Sequence, residues 1–354
     1  MNDYYTYKEI KSQIDSWGVI FDEITREKPK IGLDFFSKDY DKIVFFGCGT
    51  SYNLAMASSF FTNTVSKFES IAVPSSELIF NSETFIDRNK KYLLVGFSRS
   101  GETTESIEVI NKFKKQNGIS NFVFTCRGNS SFAGVSDNFY VCKKAEEKSV
   151  AMTKSFSSML FAYCNLIAKF LNNVNILNQF NSLCNYLNDK ISILFEEIEE
   201  YIDRNNFNSY FALGSGFNYA LAVEADLKMK EMSQTPSYSY HIFEFNHGPK
   251  SLLKDDSLCL VLTISKKIDK ADIVLNEIVK QNSKLAIIGG GGIDIKLGGN
   301  IEFFLTDADF KSDLVKSFIN IPVFQILAYS KTIKENLNPD NPCNLDYTTK
   351  LFDK

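Results

Sequence analysis

The chain has 354 residues, long enough for two domains with well-buried cores. A hydrophobic share of 44%, a charged share of 23% and a net charge of −4 are ordinary for a globular protein and give no basic footprint for nucleic acid or an anionic membrane. Seven cysteines (48, 126, 142, 164, 184, 259, 343) are scattered, odd in number and never spaced Cys-x-x-Cys, which argues against a disulfide framework or a zinc site and for a reducing compartment.

"MNDYYTYKEI" lacks the basic and apolar regions of a signal peptide, and the apolar stretch 158–171 is too short to span a bilayer. A cytoplasmic protein is expected. Residues 1–36 carry a helical pattern over about 6–36, and Trp17 and the 32 phenylalanines read as core. "KIVFFG" (42–47) then predicts a buried strand and 51–65 a helix. "YLLVGF" (92–97) predicts a strand, 102–116 a helix, 121–126 and 138–143 strands, and 152–171 a long apolar helix.

The pattern restarts after a long helix at 178–203. "SYFALGSG" (209–216) predicts a strand, followed by a helix at 218–233, strands at 258–264, 284–290 and 301–305, and helices at 269–281 and 311–333. Apolar strands separated by helices predict an α/β fold with parallel sheets covered on both faces. "FFGCGTSYNLA" (45–55) and "FALGSGFNYALA" (211–222) both read strand, Gly-x-Gly, helix, a weak internal duplication. The expected boundaries are 1–36 for a helical segment, 37–175 and 176–335 for two domains, and 336–354 for a polar tail that wanders over the surface or folds back towards a site.

Several constellations can carry chemistry. "VGFSRSGETTES" (95–106) sets Ser98, Ser100 and Thr103 after a strand, where open parallel sheets bind ligands. Gly101 permits a tight turn, and a helix is expected from about Glu102. Two readings stand: Ser100 and Thr103 cap the helix, or the hydroxyls and free helix N–H groups cradle a phosphate. "GCGTS" (47–51) makes a second hydroxyl-bearing turn at the same sheet edge, but Tyr52 replaces the third glycine of a dinucleotide fingerprint. "IIGGGGID" (287–294) reads as a flexible turn, and Cys48 as a buried bystander. Glu224, Lys228 and Glu231 share one helical stripe, either a salt-bridged solvent face or a poised base. The chain has only two histidines, His241 and His247. His247, in a His-Gly-Pro turn, is polar surface or a proton-transfer group. Nothing clusters as metal ligands, so no metal is expected.

"CGTS", "SRSGET", "EEKSVAMTKSF" (146–156), "ALAVEADLKMKEM" (220–232) and "FNHGPKSLL" (245–253) occur in the order found in proteins with two sugar-isomerase (SIS) domains. From about Lys42 the chain resembles the isomerase half of glucosamine-6-phosphate synthase, tagatose-6-phosphate ketose/aldose isomerase, SIS-type glucosamine-6-phosphate deaminases and fructosamine-6-phosphate deglycase. The resemblance implies two SIS domains, each a doubly wound three-layer sandwich. It implies that Ser98, the Arg99 backbone, Ser100 and Thr103 hold a sugar phosphate, and that Gly49, Thr50, Ser51, Val150 and Ala151 line the sugar site. Glu231 matches the base for the C1/C2 proton shift, Lys228 a lysine near it, and His247 a ring-opening histidine often lent by a neighbouring subunit.

The implied function is a phosphosugar isomerase working through an enediol or enediolamine, with or without deamination. The implied assembly is a homodimer without cofactors. A fructosamine-6-phosphate deglycase is the alternative, and a non-catalytic sugar-phosphate regulator ranks below it. Asn2 stands where a glutaminase would have its catalytic cysteine, so no glutaminase activity is expected. In the tail, Tyr347 stands at the synthase's carbonyl-meeting lysine, with Lys350 three residues on; either is a candidate to reach the site.

Overall fold

The computed structural model describes residues 3–26, 36, 39–263, 270–289 and 301–351. They divide into two compact units, one of residues 12–184 and 346–354, the other of 1–11 and 185–345. Each is an α/β unit built on a five-stranded, all-parallel sheet. No helix among the described residues is long and apolar enough to cross a membrane.

In the first unit β1 (Lys42–Gly47), β2 (Ser70–Pro74), β3 (Tyr92–Ser98), β4 (Ile119–Thr125) and β5 (Asn138–Val141) lie in the order β2-β1-β3-β4-β5. Alternate residues of these strands point to opposite faces, and both faces are apolar. On one face Val44, Phe46, Leu94 and Val123 meet Val109, Ile110 and Phe113 of the helix Thr104–Phe113. On the other, Phe45, Phe97 and Phe124 stack in a row across three strands, with centroids 6.4 and 5.2 Å apart. Tyr163, on the helix Lys154–Phe170, stands edge-on to all three. Trp17, on the helix Gln13–Arg26, is fully buried; its indole N–H donates to Ser157 Oγ at 3.1 Å and its ring stacks on Phe161.

The second unit repeats the plan. β6 (Ser209–Gly214), β7 (Ser237–His241), β8 (Ser257–Val261), β9 (Lys284–Ile288) and β10 (Ile301–Phe304) lie in the order β7-β6-β8-β9-β10, which is the first order with each strand replaced by its counterpart. Phe211, Leu213, Cys259, Val261, Leu285 and Ile287 pack beneath Val274, Leu275 and Ile278 of the helix Ala271–Lys280. The helices Phe217–Lys228 and Asn320–Lys334 pack on one another in this unit. Asp340 accepts from the amides of Tyr5 and Thr6 at 2.9 and 2.7 Å, capping the helix Tyr5–Lys11.

The expected elements fall close to their observed places. The helix expected at 178–203 runs Val174–Arg204, and the one expected at 311–333 is broken into Asp313–Lys316, a short 3-10 turn and Asn320–Lys334. The glycine turn expected at 287–294 lies outside the described residues from 290 onwards.

The duplication is sharpest in the backbone. Gly49 (φ 53°, ψ −126°) and Gly216 (φ 58°, ψ −126°) each begin a helix directly after the first strand of their sheet, in a region that only glycine enters without strain. A Cβ on Gly47 would lie 2.5 Å from the Ser51 carbonyl group, and one on Gly214 2.2 Å from Asn218 O. Gly214→Ala is therefore expected to destabilise the protein by about 2 kcal/mol or more in urea unfolding. Gly18→Ala, where nothing lies within 4 Å on the helix Gln13–Arg26, should stabilise it by about 0.5–1 kcal/mol.

Candidate active site

A parallel sheet of this order reverses its winding between β1 and β3, and the crevice beyond their carboxyl ends is the usual ligand position. The two hydroxyl-bearing turns follow these two strands, which pair directly. From the first, Gly49 is exposed while Thr50 and Ser51 are buried at the start of the helix Thr50–Val65, which has no side-chain cap.

The second turn is held in shape by its own hydroxyls. Ser98 Oγ accepts from the Gly101 amide at 3.1 Å and lies 3.1 Å from Thr103 Oγ1; Ser100 Oγ accepts from the Glu102 amide at 3.1 Å. Gly101 has φ 67°, and a Cβ there would fall 2.1 Å from Ser130 Oγ, so the loop lies tight against the segment after β4. The helix starts at Thr104, two residues later than the sequence suggests. Thr103 occupies its N-cap position without a side-chain capping bond. Ser100 and Thr103 therefore organise the loop and do not cap the helix. The N-cap side chain thus makes no bond to the helix N-terminus, whose first turn carries Glu105; the positive end of a helix is a setting suited to an anion.

The sequence reading gives Arg99 a part in phosphate binding through its backbone alone, and its side chain, only 5% exposed, turns inward. Nη1 lies 3.5 Å from Glu147 Oε2 and donates to the Ser149 carbonyl at 3.1 Å; Nη2 donates to the Tyr347 carbonyl at 3.0 Å. The cause is Glu147, a buried carboxylate that needs a counter-charge. The other Glu147 oxygen accepts from the Thr153 amide and hydroxyl, both at 2.8 Å, and Ser155 Oγ donates to Oε2. The Arg99 carbonyl is also engaged, accepting from the Cys126 amide at 3.1 Å. Through Ser149, whose Oγ donates to Ala151 O at 3.2 Å, the arginine ties Val150 and Ala151 to the Ser98–Thr103 loop.

Tyr347 and Lys350 part company. Tyr347 lies on the Arg99 guanidinium, 3.9 Å from ring centroid to carbon. Lys350 is exposed and lines a cleft of about 860 Å³ with Glu102, Thr104, Ile107 and Glu108. Cys48 is half-buried, and burial pushes its thiol up from the ordinary value, with Ser75, Ser106 and Glu105 beside it.

In the other unit, the helix Phe217–Lys228 passes into a π-helical turn, Met229–Ser233, that ends at Gln234 in the left-handed region. Such turns are rare and cluster at functional sites. Glu231 lies on it. The Glu224 and Lys228 side chains are 0% exposed and that of Glu231 20%. Lys228 Nζ donates to Glu231 Oε2 and lies 3.4 Å from Glu224 Oε1. The solvent-face reading of this stripe is thus overturned, because Glu224 and Lys228 lie on the buried side of the helix, whose open stripe carries Tyr219, Val223 and Leu227. His247 is exposed on a separate turn, Glu244–His247, followed by Gly248 at φ 138° and Pro249; His241 ends β7.

The second sheet's switch point differs from the first. Where the first has Ser51 after its glycines, the second has Asn218, whose Nδ2 donates to Thr263 O at 2.6 Å and Oγ1 at 2.9 Å. Asn320 Nδ2 donates to Asn218 Oδ1 at 2.9 Å, and Asn320 Oδ1 accepts from the Thr263 amide at 3.0 Å. The amides satisfy one another and fill the position that the first sheet leaves to hydroxyls. Among the described residues no group of three or more His, Cys, Asp or Glu is gathered to hold a metal. Thr263 and Asn320 were not singled out from sequence, and nothing in their local pattern marks them; Glu147 and Thr153 fall within the motif 146–156 but were given no role there.

Two segments, residues 37–169 and 206–290, match the SIS-domain family model and together cover more than half of the chain. The chain belongs to the SIS-domain family. It is 28% identical over 339 residues to the glutamine–fructose-6-phosphate aminotransferase (isomerizing) of Francisella tularensis, covering 89% of this chain and 54% of that protein. The chain thus spans about half the length of the curated relatives it matches. The solved glucosamine-6-phosphate deaminase of Thermotoga maritima superposes with a TM-score of 0.82 at 28% identity, covering 98% of this chain and all of that one. The tagatose-6-phosphate ketose/aldose isomerase of Escherichia coli shares the fold at a TM-score of 0.83 and 20% identity, over 98% of this chain and 97% of its own.

The buried SIS-protein triad makes a stability prediction. Lys228→Met removes the cation that contacts both Glu224 and Glu231 and should cost about 3–5 kcal/mol in urea unfolding. The triple variant with Glu224→Gln and Glu231→Gln should recover a large part of that loss, because neither carboxylate then carries a charge to desolvate.

Proposed function

We propose that the chain is an aldose–ketose isomerase of sugar 6-phosphates, with amino-sugar 6-phosphates as the favoured substrate class. Glu231 carries this reading: a partly open carboxylate on a π-helical turn, with one oxygen held by a fully buried lysine. A proton shift between C1 and C2 needs one base within reach of both carbons. The carboxylate takes the C2 proton of the open-chain aldose while its C1 oxygen is protonated, giving an enediol or, from a 2-amino sugar, an enediolamine. Returning the proton to C1 yields the ketose or its imine, and water releases ammonia from the imine. Carbon acidity next to a carbonyl suffices for these steps, so no metal or organic cofactor is invoked.

The phosphate is assigned to Ser98, the Arg99 amide, Ser100 and Thr103, with Gly49, Thr50, Ser51, Val150 and Ala151 beside the sugar. Anchoring a non-reacting phosphate contributes binding energy that positions the reacting carbons. His247 is assigned to ring opening, and its exposure suits delivery to a neighbouring subunit in a cytoplasmic homodimer. Support for a nitrogen-bearing substrate comes from the two relatives at 28% identity, whose names both join a hexose 6-phosphate to amino transfer or deamination.

A panel of fructose, glucosamine, tagatose and galactosamine 6-phosphates, assayed for isomerisation and ammonia release, tests the proposal. Turnover of at least one sugar is expected. Binding across the panel without turnover would recast the protein as a sugar-phosphate regulator. Glu231→Gln should lower solvent-proton exchange at C1/C2 by about a thousandfold while leaving phosphosugar binding in place. Undiminished exchange would remove Glu231 as the base.

A further inference from the structure

The segment Asp346–Leu351 joins the loop after β3 through a single guanidinium. Arg99 donates to the carbonyls of Ser149 and Tyr347, pairs with Glu147 and lies face-on to the Tyr347 ring at 3.9 Å. Tyr347 Oη closes the circuit by donating to the Glu147 carbonyl at 3.1 Å. Arg127 reaches the same ring at 5.3 Å and is itself paired with Glu146. Further along, the Leu351 amide donates to Thr104 Oγ1 at 3.1 Å, on the first residue of the helix whose N-terminus follows the loop.

We propose that Tyr347 and Glu147 are positioning residues for the phosphate loop, holding Arg99 so that it shapes Ser98–Thr103 without touching the phosphate. This rests on the reading that the loop binds the phosphate. The guanidinium suits the task because it is planar and carries several fixed donors, so one residue can meet two carbonyls, a carboxylate and a ring face together. Glu147 offsets its charge inside the protein, and the Glu147 oxygens are in turn saturated by Thr153 and Ser155. Phosphate recognition then falls to amides and hydroxyls, whose strength depends steeply on distance and direction. A loop of neutral donors therefore needs an external brace, and the tail residue Tyr347 supplies one side of it.

Binding of inorganic phosphate and of glucosamine 6-phosphate to the full chain, measured by titration calorimetry, tests the proposal. Tyr347→Ala should weaken both by a similar factor, about tenfold, the loss expected for one desolvated cation–ring contact. Tyr347→Phe keeps the ring on Arg99 and should restore both to within about twofold. In turnover, Tyr347→Ala should raise KM by a larger factor than it lowers kcat, a split that general loss of structure does not produce. Ser98→Ala/Ser100→Ala is the reference. If it loses phosphate binding while Tyr347→Ala does not, the brace is overturned and the phosphate loop stands. If neither variant affects binding, the phosphate assignment itself falls. Should Tyr347→Ala fail to fold by circular dichroism, Tyr347→Leu, which covers the guanidinium without a ring face, makes the same comparison.

Discussion

Both sheets depend on one backbone constraint. A helix can follow a strand within three residues only if the chain reverses sharply, and here it does so at φ near +55° and ψ −126° in both units. No residue with a side chain adopts that geometry without strain, and the preceding glycine of each pair has helix backbone where its Cβ would be. This turn sets the helix that follows the first strand of each sheet against the strand from which the winding reverses. It therefore determines where each sheet opens a crevice and which residues stand at its mouth.

The two copies of this turn have taken different courses. In one, the positions after the glycines carry hydroxyls, and the loop from the neighbouring strand adds more, beside a helix N-terminus whose N-cap side chain makes no capping bond. In the other, Asn218, Thr263 and Asn320 bond to one another, so their polar groups need no ligand. Polar groups removed from water must find partners. Whether those partners are internal or are left to an incoming molecule separates a structural switch point from a binding one.

Each unit also buries a cation to fix something else. Lys228, fully inaccessible, meets Glu224 and Glu231 and orients the more open of the two carboxylates. Arg99 meets Glu147 and fixes a loop. A buried charge contributes little net stability even when paired, since desolvation offsets most of the attraction. Its value lies in direction: a carboxylate or loop tied to an immobile cation has few alternatives in which to rest.

Much of this was legible in the chain. Continuous apolar runs such as 42–47 and 92–97 identified parallel strands covered on both faces, and Gly-x-Gly after two of them identified the turns, because strand burial and glycine-only backbone are local properties that leave local marks. The order of motifs was enough to name the SIS family. The face that Glu224, Lys228 and Glu231 present was not legible, since charged residues at helical spacing mark a solvent stripe by default, and here the open stripe carries Tyr219, Val223 and Leu227 instead. Nor was the direction of Arg99, which is set by Glu147 and Tyr347, 48 and 248 residues away along the chain. Sequence alone determined most of the elements and the types of donor at each turn, but not the edge strands Ser70–Pro74 and Ser237–His241 or the strand order. Only the tertiary structure decided which charges are buried and what each one holds, because desolvation depends on neighbours that the chain brings together from a distance.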